Sequence, residues 1–376
     1  MSPLDALPHP GQPLDGGLSP VPGGDDAPVP PGASGLRVAI VADETGWHTR
    51  QLQQALRARG VASRCIDAAD CRIDTTHAWH GLVLPGFGRE LPDAVIVRGL
   101  AGGSFEQVTR RLGVLHALRE LGVPVYNDAR AIERSVDKSM TSLLLHAAGL
   151  PMPATWAIES AAAAQALVLR ESAARRCLVL KPLFGSQGKG LQRVAWVDGT
   201  HVPLPPLDVG GYGGVAYLQH FIAPLQPPGA APGHDYRVLV IGGVARAAMR
   251  RVSAGWVHNV AQGASVAPQP LDDAPGRALA GIAVAATRTL GLDYAGVDLM
   301  PTTGAGPQLI EVNGVAAWHG LQRVCDFNIA RALVDDLLDR RLPVMRRDVQ
   351  AHPADKAHPA HMTHMAHPPV QRARRA

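Results

Sequence analysis

Four groups of residues carry types and spacings that can do chemistry. The first is Lys181-Pro182-Leu183-Phe184-Gly185-Ser186-Gln187-Gly188-Lys189-Gly190, a glycine-rich turn entered from the apolar run Cys177 to Leu180. Glycines let backbone N–H groups approach phosphate oxygens, and lysine adds charge. It is not a P-loop: GxxxxGK[ST] is absent, and Leu191 to Val197 reads as a strand, not a helix. Taken alone, the run also reads as a plain hairpin turn. The second group is Gly296-Val297-Asp298-Leu299 with Leu309-Ile310-Glu311-Val312-Asn313. Glu311 and Asn313 are two apart on a strand and share a face, and Asp298 can join them from a neighbouring strand. Two carboxylates and an amide oxygen suit Mg²⁺ that holds nucleotide phosphates. A salt-bridge network with local arginines is the other reading. The third group is Asp235-Tyr236-Arg237, Met249-Arg250-Arg251 and Asn259, bases on paired strands that can converge on a transferred phosphate or a developing oxyanion. Charges on a strand surface would look the same. The fourth is Asp137-Lys138 at a helix start, where a lone lysine is often only a surface group.

Elements must position these residues. Leu36 to Ala42, Ala94 to Val97 and Pro124 to Asn127 read as short strands, and Thr49 to Arg59 and Phe105 to Leu121 as helices ended by Gly60 and Gly122. This alternation predicts a parallel α/β layer over residues 36–130. Beyond it the grain changes to α+β. Asp137 to Ala148 and Ala274 to Leu290 read as helices. Cys177 to Leu180, Val215 to Gln219, Tyr236 to Ile241, Val244 to Met249, Tyr294 to Met300 and Gln308 to Val312 read as strands. Residues 200–235 read mostly as loops and Cys325 to Arg340 as one closing helix. The tails 1–35 and 346–376 are too rich in Pro, Gly, His and Arg to build a core and read as disordered.

Composition narrows the function. Of 376 residues only four are lysines, Lys138, Lys181, Lys189 and Lys356, against 32 arginines. Arginine is a planar fork and lysine a slim point charge, so a lysine retained on such a background marks a place where the fork does not serve. Aromatics at 4% argue against stacking on single-stranded nucleic acid. No apolar run of 18 residues exists and no signal pattern opens the chain, which points to a cytoplasmic protein that neither spans nor binds a membrane. Cys65, Cys71, Cys177 and Cys325 form no CxxC pair and read as reduced thiols.

Taken in order, these motifs resemble the ATP-grasp superfamily, and within it the RimK-type branch of α-L-glutamate ligases. The resemblance covers roughly residues 90–340. It is carried by Asp137-Lys138-Ser139, the stretch 150–155, Lys181 with the glycine loop, Tyr217 to Ile222, Asp235-Tyr236-Arg237, Arg250-Arg251, Asn259 with Gly263, Gly296-Val297-Asp298 and Glu311-Val312-Asn313. It implies a preATP-grasp domain followed by an ATP-grasp domain over 131–345, whose small lobe (150–222) and large lobe (235–345) clasp ATP. Lys138 and Lys181 would contact the α- and β-phosphates. Gly185, Ser186, Gln187 and Gly188 would close over the phosphates. Gln219 and the backbone near Phe221 and Ile222 would line the nucleotide site. Asp298, Glu311 and Asn313 would hold two Mg²⁺, with Mn²⁺ able to replace them. Arg251, Asn259 and Arg237 would make the catalytic set that stabilises the phosphoryl group and the tetrahedral intermediate.

The implied reaction joins an amino acid, L-glutamate, to a carboxylate through an acyl phosphate. Trp318-His319-Gly320-Leu321-Gln322 looks like members that glutamylate pterin or deazaflavin coenzymes, which makes a small C1-carrier coenzyme the first acceptor to consider. The alternatives are a ligase acting on a protein C-terminus or an amino-group carrier protein, and a non-catalytic nucleotide-binding module. Self-association into a homo-oligomer stays open. The chain departs from the pattern at His220, where an acid is usual, leaving the ribose contact open, and at Gln262, where arginine is common. Arg98 and Trp318 are candidates for the acceptor side, with a packed tryptophan as the plainer outcome.

Overall fold

The computed structural model describes residues 30–185, 188–208, 211–225, 233–304 and 306–344. The chain begins with β1 (Arg37–Val41), α1 (Trp47–Ala58), β2 (Ala62–Ile66), a small hairpin β3 (Arg72–Ile73) and β4 (Leu82–Val83), β5 (Ala94–Val97), α2 (Phe105–Glu120) and β6 (Val125–Tyr126). Strands β2-β1-β5-β6 form a parallel sheet in that order. Alternate residues of β1 and β5 feed two cores: Val38, Ile40 and Ile96 one, Ala39, Val41, Val95 and Val97 the other. A parallel sheet covered on both faces requires such unbroken apolar runs, which is why they are legible in the sequence. β2, with the polar run Ser63-Arg64-Cys65, and the hairpin carry no such signal. Residues 30–35 are not a free tail: the Ser34 N–H donates to the Gly60 carbonyl at 2.9 Å. The remainder of that tail and residues 346–376 lie outside the described residues.

Two helices lead out of this layer, α3 (Ala129–Val136) and α4 (Lys138–Ala147). Asp137 ends the first and caps the second, its Oδ1 accepting the N–H groups of Ser139 at 2.8 Å and Met140 at 3.1 Å. The cap sets Lys138 at the first helical position.

Next come β7 (Thr155–Ile158), α5 (Ala161–Ala173), β8 (Cys177–Lys181), β9 (Gln192–Val197), β10 (Thr200–Val202) and β11 (Ala216–His220). Their antiparallel sheet has the order β10-β9-β8-β11-β7, with α5 packed through Ala164, Leu167 and Val168 on Leu178, Leu180 and Leu218. A second antiparallel sheet follows, in the order β14-β13-β12-β15-β16: β12 (Gly233–Ile241), β13 (Val244–Ser253), β14 (Ser265–Pro268), β15 (Tyr294–Met300) and β16 (Gln308–Asn313). Helix α6 (Ala274–Leu290), capped by Asp273 and ended by Gly291 at φ 76°, covers one face through Leu279, Ala283, Ala286 and Leu290.

The single closing helix expected over Cys325 to Arg340 starts four residues later than expected. α7 (His319–Gln322) is separate, and α8 (Ile329–Asp335) starts only at Ile329 before running on as a π-helical turn, Asp336–Arg341. Asn328 caps it by accepting from the Arg331 N–H at 2.8 Å, and the Gln322 amide holds the stretch between, donating to the Phe327 carbonyl and accepting from the Ile329 N–H. The core between parallel sheet and large lobe contains Ile40, Leu52, Tyr294, Trp318 and Leu333. Among the described residues no helix is long and apolar enough to cross a membrane.

Candidate active site

Register assembles the acidic face. On β12 and β15, Arg237 pairs with Asp298; on β12 and β13, Asp235 pairs with Arg251. On β15 and β16, Leu299 pairs with Leu309 but Asp298 with Glu311, so Ile310 is the extra residue of a bulge. A regular ladder would set Ile310 opposite Asp298 and turn Glu311 to the other face; the bulge re-aims it. Asp298, Glu311 and Asn313 therefore share one face, as expected from their period-two spacing.

The arginine reading of this cluster is also present. Arg237 donates to both Asp298 oxygens at 2.7 Å, and Arg251 lies 3.2 Å from one of them. Arg251 in turn grips Asp235 at 2.7 and 2.5 Å. Gly296 makes room for Ala316: a Cβ there would sit 3.1 Å from the Ala316 Cβ, and in ordinary contact, at 3.7 Å, with the Arg237 Cδ. Asp235, Arg251 and Asp298 are all buried. Burial opposes ionisation of Asp298, but the charges of Arg237 and then Arg251 hold its carboxyl below the usual range. Burial pushes Asp235 up to about 6 against the pull of Arg251. Removing one member of such a buried network leaves an unpaired charge, at a cost of about 3–5 kcal/mol.

The opposing lobe brings Lys181, and α4 brings Lys138. Lys181 ends β8, is buried, and donates from Nζ to the Gln219 Oε1 at 2.7 Å. The Gln219 amide is fixed in turn by the Thr155 hydroxyl at 3.1 Å. Burial, with a smaller repulsion from Lys138, brings the Lys181 ammonium down to about 8, while Glu311 acts the other way. Lys138 reaches from α4 to the Gly185 carbonyl at 2.8 Å and lies 3.8 Å from a Glu311 oxygen. Lys138, Lys181, Gln219, Asp298 and Glu311 thus line one cleft. Gly185, Gly188, Phe221, Ile222, Arg251 and Asn259 line it as well. Arg237 lies behind it on Asp298, and the Asn313 amide sits 3.4 Å from the Gly296 carbonyl. Ser186 and Gln187 fall outside the described residues. Among the described residues no three His, Cys, Asp or Glu side chains gather as a metal cluster; the hard-donor set is two carboxylates and an amide.

A segment that the sequence did not single out straps the cleft. Between β13 and a short turn at Val260–Gln262, Trp256 packs edge-on to Phe221 at 5.8 Å, with the Arg193 guanidinium near both rings. Val257 meets the glycine loop: a Cβ on Gly188, which has φ +70°, would fall 2.9 Å from the Val257 Cγ1. His258 lines the cleft next to Asn259, whose Oδ1 accepts the Ala261 N–H at 2.8 Å. Only Asn259 of this stretch had a motif to mark it.

His220 behaves differently from an acid at its position. The residue borders the cleft, but its ring reaches α5, where its Nε2 is 3.0 Å from the buried Glu171. Arg176 and Arg170 hold the same carboxylate, Arg176 providing the largest pull, and keep it down at about 2 despite burial. Trp318 is the packed tryptophan: it is fully buried, with the Arg98 guanidinium 4.5 Å over its ring.

The comparisons agree with this geometry. Residues 36–132 match the RimK PreATP-grasp domain and residues 135–337 the RimK-like ATP-grasp domain. A tetrahydromethanopterin:alpha-L-glutamate ligase of Methanosarcina acetivorans is 32% identical over 79% of this chain and 97% of its own length. A probable alpha-L-glutamate ligase of Xanthomonas euvesicatoria is 32% identical over 80% of this chain and 97% of its own length. A RimK domain ATP-grasp protein of Sphaerobacter thermophilus shares the fold, with a TM-score of 0.55 at 19% identity, over 80% of this chain and 99% of that one. ATP-grasp ligases work with ATP and Mg²⁺. Parallel layer, two antiparallel lobes and matched sequence together make this chain a member of the RimK-like ATP-grasp family, an ATP-dependent ligase.

Proposed function

We propose that the protein adds L-glutamate to the carboxylate of a small coenzyme of the tetrahydromethanopterin type, in the cytoplasm, at the expense of ATP. The observation that carries this reading is the convergence of Lys138 and Lys181 with Asp298 and Glu311 on one cleft. Similarity to the Methanosarcina ligase along nearly its whole length supports the acceptor class. Residues 36–130 form the preATP-grasp α/β domain and residues 131–345 the ATP-grasp domain in this reading.

The residues suit their tasks. Lys138 and Lys181 are slim cations for the α- and β-phosphates, and Gln219 steers Lys181. The Phe221 N–H is bonded to the Cys177 carbonyl at 3.0 Å, which leaves the Phe221 carbonyl and the Ile222 N–H for the adenine edge. Gly185, Ser186, Gln187 and Gly188 form the cover over the phosphates. Asp298, Glu311 and Asn313 offer the hard oxygens that fit two Mg²⁺, or Mn²⁺. Bound Mg²⁺ neutralises phosphate charge and fixes the γ-phosphoryl group for attack. Arg251 and the Asn259 amide line the cleft and would donate to phosphoryl and oxyanion oxygens, with Arg237 beside them on Asp298 as a further guanidinium for the same charge. A carboxylate is a poor acyl donor, and phosphorylation turns it into an acyl phosphate that an amine can attack.

The test is ADP release with ATP, Mg²⁺ and L-glutamate, using tetrahydromethanopterin in one assay and a peptide ending in glutamate in another. Release that needs both glutamate and the coenzyme, with a mass gain of one glutamyl residue on the coenzyme, is expected. A mass gain confined to the peptide would transfer the assignment to a protein-modifying ligase. Nucleotide binding without turnover would make the protein a binding module.

A further inference from the structure

His258 has an unusual position. It is 4% exposed, and neither ring nitrogen makes a well-formed hydrogen bond, with only a weak pull from the Gly233 backbone. Leaving the polar atoms of a buried imidazole without strong partners is costly unless something binds them. The ring lines the same cleft as Arg251, Asn259 and Asp298, on the strap that touches both lobes. It stands among the groups assigned to the phosphoryl and oxyanion oxygens, where the attacking amine must also arrive.

We propose that His258 is the general base that takes a proton from the incoming amino group. The role rests on the ligase reading above and deepens it. An amino acid enters as an ammonium ion, which has no lone pair for attack. One proton passes to a ring nitrogen of His258. The amine lone pair then forms the C–N bond at the acyl carbon, and the bond from that carbon to the phosphate oxygen breaks. A second nitrogen proton goes to the departing phosphate, which leaves as hydrogen phosphate. The imidazolium returns its proton to water as products leave.

The surroundings favour a neutral ring ready to accept. Burial is the main influence lowering its proton affinity, and the Arg251 charge on β13 adds to it; the Gly233 backbone on β12 acts the other way, and His234 on the same strand is a smaller repulsion. Asp235 and Asp298 share out the Arg251 charge, so the ring faces a compensated guanidinium and not a bare one. Neutral imidazole is the form that a base needs at neutral pH.

The test separates the amine from the rest of the reaction. Hydroxylamine is already unprotonated at neutral pH and traps an acyl phosphate as a hydroxamate without help from a base. His258→Ala and His258→Gln are assayed with ATP, Mg²⁺ and tetrahydromethanopterin, with L-glutamate or hydroxylamine as nucleophile. Glutamate-dependent turnover should fall at least about a hundredfold in both variants, while hydroxamate formation stays within about threefold of wild type. Glutamine keeps most of the ring's volume and a hydrogen-bonding amide, so recovery in His258→Gln would indicate packing and overturn the proposal. So would an equal fall with both nucleophiles. A wild-type protein that forms neither amide nor hydroxamate would overturn the ligase reading itself, and the role of His258 with it.

Discussion

Asp298 and Glu311 face each other across β15 and β16 because Ile310 is bulged out of the ladder. One extra residue thereby brings two carboxylates together on the face that also holds Arg237 and Arg251. Glu311→Gln removes one of the two carboxylates and leaves the bulge in place. The expected result is a folded protein that binds ATP weakly in the presence of Mg²⁺, read by calorimetry with and without the metal. Unchanged Mg²⁺-dependent affinity would show that Glu311 has no part in the metal set.

Asp298→Asn removes the charge that the buried Arg251 and the half-buried Arg237 share. Ligation should disappear, by at least about a thousandfold if the residue stabilises transition-state charge through metal. The amide still accepts hydrogen bonds from Arg237, so circular dichroism should report an intact fold, with stability reduced by up to about 3–5 kcal/mol. Normal activity would remove Asp298 from the metal set.

Lys181 supplies a pH test. Its ammonium titrates at about 8 in the fold, against 10.5 ordinarily. ATP binding needs the charged form, so affinity should fall as pH rises through 8. The unfolded chain keeps the proton longer, so between pH 8 and 10.5 the unfolded state binds more protons, and this group makes the ligand-free protein more stable as pH rises. Affinity that is flat from pH 7 to 9.5 would contradict a phosphate contact by Lys181.

Lys138→Arg and Lys181→Arg test why lysine survives on an arginine background. Lys181 is buried against Gln219 with a single strong contact, a position for a point charge and not a fork. Both variants should lose ATP affinity by about tenfold or more, or about 1.4 kcal/mol. Full affinity in both would mean that the scarcity of lysine carries no functional signal.

Trp318→Ala should destabilise without touching nucleotide binding. The ring is fully buried between parallel sheet and large lobe, and its loss should cost about 3–5 kcal/mol in chemical denaturation. A loss of glutamate-dependent turnover at unchanged stability would reassign it to the acceptor.

The parts that were legible in the sequence obey simple periods. Val38 to Val41 and Ala94 to Val97 announced buried parallel strands, and the spacing of Glu311 and Asn313 announced a shared face. What escaped depends on partners distant in the chain. The bulge at Ile310 exists only against β15. His220 looked like a lost ribose contact, yet its ring reaches Glu171 on α5. His258 reads like any core histidine until the cleft forms around it. The late start of the closing helix depends on Gln322 and Asn328 side chains bonding to backbone.

The central claim is that the acceptor carboxylate attacks ATP before the amine attacks the acceptor. It is tested most directly by labelling that carboxylate with oxygen-18 and analysing the products of one turnover with ATP, Mg²⁺ and L-glutamate. Attack on the γ-phosphoryl group sends one carboxylate oxygen into inorganic phosphate, with ADP as the nucleotide product. Unlabelled phosphate, or label in AMP with release of pyrophosphate, would contradict the acyl-phosphate route and the roles assigned to Arg251, Asn259 and Asp298.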